Sequence, residues 1–178
     1  MSVVLVTGFG PFDDVVVNAS GLLARAVGEA GITGHELHVE VLPTRFASRD
    51  VVKELVDRLR PAVVVSLGVS RDQVVNLERR ASGIVTSQRP DVAGEVWCGR
   101  VLGPELRASG IDRWIVDLQA IDPTVALSDE AGGYVCDAIF HAALSCDVRA
   151  AFVHIPRDVD AVAARVPIIQ ALVAAMLV

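Results

Sequence analysis

A glycine turn that leads into a predicted helix places a cysteine where it could act as a nucleophile. Gly132 and Gly133 permit a sharp change of chain direction, and residues 138–144 continue with apolar side chains at helical spacing. Cys136 therefore lies in the first helical turn, where free backbone N–H groups and the helix dipole favour a thiolate. The alternative is that Cys136 is a small buried hydrophobic residue.

A histidine is expected near this cysteine. His154 ends an apolar strand predicted over residues 149–155. Ligands of open parallel sheets bind outside the carboxyl ends of the strands, and we expect Cys136 to follow a strand at that same edge. The two side chains would then suit a nucleophile and its general base. His154 could instead be a core histidine, and His141 is a competing partner that should point from a different helix face.

A glutamate could supply the third group of such a site. An acid that orients the imidazole and stabilises its cation improves a cysteine–histidine pair. Glu78 is the candidate, because it lies among apolar neighbours in a segment that follows a predicted strand. The alternative is an exposed carboxylate that pairs with Arg79 or Arg80.

Two phenylalanines lie in a loop that leaves the carboxyl end of the first predicted strand. Phe9 and Phe12 could wall a ligand pocket at this edge, or they could cover the core. Gly8 and Gly10 in the same loop suggest a dinucleotide-binding oxidoreductase, but that fingerprint requires a third glycine where Asp13 stands. We therefore treat nucleotide binding as the weakest alternative.

Composition limits the class of protein and its partners. The chain has 178 residues, a length that suits a single domain over residues 1–178, and 52% of them are hydrophobic but only 4% aromatic. The net charge of −6 comes without a basic patch, which argues against nucleic acid as a partner. The longest apolar stretch, residues 168–178, is too short to cross a bilayer, so no membrane partner is expected.

Cysteine usage bears on metals and on the cellular compartment. The chain has three cysteines, an odd number without metal-ligand spacing. We therefore expect no metal site and no cofactor. Reduced thiols are typical of the cytoplasm, which is the expected localisation.

Hydrophobic periodicity predicts alternating strands and helices. Strands are expected over residues 3–7, 38–42, 62–68, 74–81, 114–116, 125–127 and 149–155, and helices over residues 20–29, 47–59, from 135 onward and from 158 onward. Asn18 and Gly31 are expected to cap the first helix. This alternation predicts a single-domain, three-layer α/β/α fold with a mainly parallel, doubly wound sheet. Residues 82–113 are predicted to form a long, mobile excursion that closes over a ligand.

The motifs, taken in chain order, resemble those of the pyroglutamyl peptidase type I family, also called pyrrolidone-carboxylate peptidases, which are cysteine peptidases. They are VLVTGFGPF at residues 4–12, Asn18, LER at residues 77–79, AGGYVC at residues 131–136 and VHIP at residues 153–156. The resemblance covers most of the chain. It implies an omega peptidase that removes N-terminal pyroglutamate from peptides and that forms homo-oligomers, often dimers or tetramers.

The resemblance also implies roles for individual residues. Cys136, His154 and Glu78 match the catalytic triad, and Phe9 and Phe12 match the walls of the pocket for the pyroglutamyl ring.

Two further candidate substrate-site residues lie in segments where the chain departs from the family pattern. Val69 stands where the family has a pocket glutamine, and Arg89 matches an arginine near the active site in a segment that is otherwise only faintly similar. Because these departures fall on substrate loops, the alternative function is a non-catalytic or altered-specificity relative that binds a small lactam-like ligand.

Self-association is also expected from exposed apolar surface. Residues 15–17 form a run of three valines in a loop, and the terminal helix is apolar around much of its circumference.

Overall fold

Eight strands and five helices make up the computed structural model, which describes residues 1–178. The strands are β1 (Val3–Phe9), β2 (Glu36–Leu42), β3 (Val63–Ser70), β4 (Asn76–Glu78), β5 (Arg80–Ala81), β6 (Leu106–Arg107), β7 (Ala126–Ser128) and β8 (Arg149–Pro156). The helices are α1 (Ala19–Ala30), α2 (Ser48–Leu59), α3 (Ile111–Ile121), α4 (Val135–Leu144) and α5 (Val162–Leu177).

A six-stranded, mainly parallel sheet forms the middle layer, with strand order β2-β1-β3-β8-β4-β7. Strands β1, β3 and β8 lie at its centre and are buried along most of their length. Their continuous apolar runs are what a sheet covered on both faces requires. β5 and β6 form a separate two-stranded sheet.

The helices cover both faces of the sheet. α5 packs against α1 and α3, whereas α2 packs against α4. The predicted α/β fold is therefore confirmed. Most of the apolar residues of α5 are buried against the rest of the chain. The prediction that this helix exposes an apolar surface was therefore wrong. No helix combines the length and the apolar character needed to cross a membrane.

The first helix is capped as predicted. Asn18 Oδ1 accepts a hydrogen bond from the Ser20 backbone N–H at 3.0 Å, which satisfies one of the unpaired donors at the start of α1. Gly31 ends the helix with φ of +72°. The Asn18 cap fixes where the loop after β1 joins α1.

The direction of two strands differs from the prediction. β4 pairs with β8 in antiparallel orientation, and β7 runs parallel to β4. The carboxyl end of β7 therefore does not lie at the same edge as that of β8, and this part of the prediction was wrong. Residues 129–134 return the chain to that edge, where α4 begins.

Three predicted elements also change in extent or type. The strand predicted over residues 114–116 is part of α3, whose buried residues Ile111, Trp114, Ile115 and Leu118 have helical spacing. The terminal helix begins at Val162 instead of Asp158. The strand predicted over residues 74–81 is divided into β4 and β5.

The excursion at residues 82–113 is packed against the sheet layers and does not stand free. The Trp97 ring stacks on Phe46 with a centroid distance of 4.9 Å, and the Arg100 guanidinium lies 3.7 Å from the Trp97 ring centroid. The buried Asp91 carboxylate accepts a hydrogen bond from the Phe46 N–H at 2.9 Å. The prediction of an unpacked segment was wrong, whereas its closure over a ligand stays a prediction.

Candidate active site

A buried histidine–glutamate pair lies at the carboxyl end of β8. His154 Nδ1 is 2.7 Å from Glu78 Oε1, and the two residues are 7% and 1% exposed. The antiparallel pairing of β4 with β8 sets Asn76 opposite His154, so Glu78 lies close along the same strand pair. A buried carboxylate requires such a partner, because an isolated charge in the core is costly.

Cys136 lies beside this pair because of a glycine on the neighbouring strand. Gly68 of β3 is in register with His154 of β8. A Cβ atom at Gly68 would lie 2.9 Å from Cys136 Sγ and 2.9 Å from Phe152 Cζ. The bare backbone at Gly68 therefore provides the space that the sulfur occupies.

The surroundings of His154 determine its charge. Burial alone lowers the pKa of an imidazole, but the hydrogen bonds and charges of Cys136 and Glu78 outweigh it and raise the pKa of His154 from 6.5 to about 10. His154 is therefore an imidazolium at neutral pH.

The turn before Cys136 has the backbone geometry that its two glycines predicted. Gly132 and Gly133 have φ of +92° and +57°, a region that side chains disfavour. The Gly133 carbonyl accepts hydrogen bonds from the N–H groups of Thr86 and Ser87, both at 3.0 Å. The excursion thus holds the turn that positions Cys136.

A cavity of about 260 Å³ opens over these groups. Its lining includes Cys136, His154 and Glu78. This volume is close to the lower end of the range of ~300–1,000 Å³ that is common for small-ligand sites. The cavity can therefore hold a small group next to the sulfur.

The other residues predicted for the site also line the cavity. They are Phe9, Phe12, Val69 and Arg89. Phe9 is buried at the end of β1 and does not lie in the loop, whereas Phe12 is half-buried. The Arg89 guanidinium pairs with the Asp13 carboxylate and lies 6.0 Å from the Phe12 ring centroid, so its charge is already partnered.

Several lining residues were missed or were assigned only a structural role. Asn18 Nδ2 and Thr44 Oγ1 both donate to the Gly10 carbonyl, at 2.9 and 3.2 Å, and so hold the loop between Phe9 and Phe12. Tyr134 donates its hydroxyl to the Pro90 carbonyl at 2.8 Å. Tyr134 could have been recognised as a site residue from the sequence, because it lies two residues before Cys136. Nothing local in the sequence indicates that Thr44 belongs to the site.

The competing histidine lies outside the cavity. His141 is buried, and its Nε2 is 3.0 Å from the Pro104 carbonyl oxygen. It does not border the space in front of Cys136. No group of three or more His, Cys, Asp or Glu side chains is arranged to hold a metal ion.

Comparison with known proteins gives consistent matches. The model of the family described as pyroglutamyl peptidase matches residues 2–170. The pyrrolidone-carboxylate peptidase of Gloeobacter violaceus is 32% identical over 165 residues, which cover 86% of this chain and 80% of the relative. Human pyroglutamyl-peptidase 1 is 31% identical over 168 residues, covering 86% and 78% of the two chains.

Solved structures share the fold. The pyrrolidone carboxyl peptidase of Thermococcus litoralis superposes with a TM-score of 0.91 at 21% identity, over 99% of this chain and 94% of that one. The pyroglutamyl peptidase I of Bacillus amyloliquefaciens gives 0.90 at 22% identity, over 99% and 95%.

Fold, cavity and relatives together define the class of protein as a cysteine hydrolase with an α/β fold. The chain belongs to the pyroglutamyl peptidase family.

The raised pKa of His154 has a measurable consequence. Because the folded-state pKa of about 10 lies above 6.5, the imidazolium contributes fully to stability below pH 6.5, and this contribution is lost as the pH rises through about 10. In an NMR titration, His154 should stay protonated well above pH 7, and Glu78→Gln should lower its pKa. Titration of His154 at or below pH 6.5 would contradict this charge state.

The space at Gly68 predicts the reactivity of Cys136. In the native protein, iodoacetamide should label Cys136 faster than Cys98 or Cys146, which are also free thiols. Gly68→Ala should slow the labelling of Cys136 by about tenfold or more, because the new methyl group displaces the sulfur from His154. The rate at exposed Cys98 is the internal control and should not change. Equal labelling of Cys136 in the two proteins would show that the glycine has no such role.

Proposed function

We propose that the protein is an omega peptidase that removes the N-terminal pyroglutamyl residue from peptides and proteins. The observation that carries the proposal is the convergence of Cys136, His154 and Glu78 on one small cavity walled by Phe9 and Phe12. Membership of the pyroglutamyl peptidase family supports the choice of substrate.

The first chemical step is acyl transfer to the cysteine. Cys136 Sγ attacks the carbonyl carbon of the peptide bond that follows the pyroglutamyl ring, and forms a thioester. The bond from that carbon to the leaving nitrogen breaks. His154 holds the thiol proton as imidazolium and gives it to the leaving amine. Glu78 keeps the imidazole oriented through Nδ1 and stabilises its cationic form.

Water then completes the reaction. It attacks the thioester carbonyl carbon while His154 accepts its proton, and the C–S bond breaks to release pyroglutamate. The proton returns to the Cys136–His154 pair, so the enzyme is regenerated without a redox or metal step.

Backbone N–H groups at the start of α4 are suited to the oxyanion of both steps. The first turn of a helix has donors without helical acceptors. Tyr134 precedes α4 without a side-chain capping hydrogen bond, so these donors stay available close to Cys136. Donors that are already aimed at the developing negative charge lower the barrier.

The walls of the cavity suit a neutral ring. A lactam carries no charged amine, so recognition requires apolar surface and a few hydrogen bonds instead of a carboxylate. Phe9, Phe12, Val69 and Tyr134 offer apolar or aromatic surface in the cavity. Val69 also motivates the second candidate, a relative that binds a lactam-like ligand without turnover or with altered specificity.

Removal of the nucleophile tests the peptidase proposal. Hydrolysis of a pyroglutamyl-anilide reporter should fall by about 10⁵-fold or more in Cys136→Ala and similarly in His154→Ala, because each removes an essential group. Glu78→Gln should cost about 10- to 100-fold less, because the orienting acid does not itself react.

Matched variants separate the two candidate functions. Cys98→Ala and Cys146→Ala remove the other thiols and should keep wild-type turnover. Full activity of Cys136→Ala would end the proposal. Reporter binding without turnover in the wild type would instead favour the non-catalytic relative.

We further propose a homo-oligomer, a dimer or a tetramer, in a reducing compartment such as the cytoplasm. Val16 and Val17 are 78% and 53% exposed, and they line a surface cleft together with Val41 of the edge strand β2. Exposed apolar surface of this kind is commonly covered by a partner. All three cysteines are free thiols, which supports the compartment.

Light scattering tests the oligomer. The wild type should exceed the mass of one chain at micromolar concentration, and Val16→Lys should shift it toward the monomer because a charge would have to be buried. Val116→Lys, at a site that is 63% exposed on α3, is the control and should leave the mass unchanged. A monomeric wild type would refute the proposal.

A further inference from the structure

The turn that carries Phe12 has an uncommon backbone. Phe12 and Val15 exchange two backbone hydrogen bonds, at 3.1 and 2.8 Å, and so close a tight turn over Asp13 and Asp14. Asp13 has φ of +45°, a left-handed conformation that residues other than glycine adopt rarely, although aspartate and asparagine tolerate it best. Such a conformation persists when its surroundings hold it.

Two ion pairs join this turn to other segments that line the cavity. The Asp13 carboxylate pairs with Arg89, which belongs to the excursion and lies between β5 and β6. Asp14 Oδ2 is 3.5 Å from Arg157 Nη1, and Arg157 directly follows β8. Adjacent residues of one turn are thus joined to two distant segments.

The same two arginines lie near the Phe12 ring. The guanidinium carbons of Arg89 and Arg157 each lie 6.0 Å from the Phe12 ring centroid. Arg89 is also 5.3 Å from the ring centroid of Tyr134. Cations at this distance attract an aromatic face, so each arginine holds both the turn and the ring that the turn presents.

We infer that Asp13 and Asp14, through Arg89 and Arg157, are positioning residues that fix Phe12 as a wall of the substrate pocket. The inference rests on the proposed peptidase function, because it concerns how the pyroglutamyl ring is bound. Exposed ion pairs contribute little to global stability. Their effect is local, since Phe12 is only half-buried and its place depends on the conformation of the turn.

Ionic strength distinguishes this role from a merely structural one. A neutral substrate has no net charge to be screened, so salt should hardly alter its direct contacts with the pocket. Salt does screen the exposed pairs of Asp13 and Asp14, and the Debye length falls from ~30 Å at about 0.01 M to ~3 Å at about 1 M. Salt-dependent binding of a neutral substrate would therefore report on the turn.

The experiment compares the wild type with the Asp13→Asn/Asp14→Asn double variant, using neutral pyroglutamyl-p-nitroanilide. Asparagine retains the left-handed conformation at position 13 and removes only the charge. We expect KM of the wild type to rise about three- to tenfold between low and high salt. The double variant should show the high-salt KM at every salt concentration, with kcat changed less than about twofold because Cys136 and His154 are untouched.

A matched control removes an exposed ion pair elsewhere. Glu105→Gln removes the charge that pairs with Arg80 at 2.6 Å and with Arg107 at 2.9 Å, and Glu105 does not border the cavity. This variant should retain the salt dependence of the wild type. A salt-independent KM in the wild type, or an unchanged KM in the double variant, would overturn the positioning role.

A binding measurement separates this inference from the proposed function. Calorimetry with neutral pyroglutamyl-alaninamide, in a Cys136→Ala background, should show the same salt-dependent Kd and the same loss of dependence in the double variant. If this pattern appears while the wild type hydrolyses no reporter, the positioning role stands and the peptidase proposal fails. If Kd does not respond to salt or to the two substitutions, the positioning role fails whatever the turnover.

Discussion

The buried pair of His154 and Glu78 is the interaction on which the site depends. Two ionisable side chains inside the core are tolerated because each is the partner of the other at 2.7 Å. The pair also joins β8 to β4, the one antiparallel junction described between main-sheet strands. Glu78 Oε2 has no hydrogen-bond partner, so the carboxylate charge is balanced mainly through the other oxygen. Any change that separates these strands would leave an uncompensated buried charge.

Space is the second constraint, and it acts at Gly68. The sulfur of Cys136 lies where a side chain on β3 would otherwise stand, and the ring of Phe152 closes the same space. Close packing in a protein interior makes a difference of one methyl group significant. The Cys136 sulfur is thus positioned by the absence of a side chain on one strand and by a charged histidine on the next.

The excursion also contributes to the site, since its Arg89 lines the cavity. Its start is joined to α4, because the buried Asp137 carboxylate accepts from the Ser82 N–H at 2.9 Å. Farther along, Trp97 stacks on Phe46, and Phe46 meets the Tyr134 ring edge-on at a centroid distance of 5.5 Å. An irregular segment that satisfies its polar groups and buries aromatic surface in this way can position a pocket as well as a helix can.

Local patterns in the sequence determined the central strands, the caps of α1 and the glycine turn before Cys136, because burial periodicity and backbone conformation depend on neighbouring residues. They failed for α3, where a short β-branched run concealed a helical spacing, and for the direction of β7, which depends on strand pairing. The packing of the excursion was also missed, since it rests on contacts with residues about 50 positions away, as between Trp97 and Phe46. The sequence alone thus determined which elements carry the candidate side chains. Only the tertiary structure decided their separation and their charge, because hydrogen-bond distance, burial and free space arise from segments that meet in the folded chain.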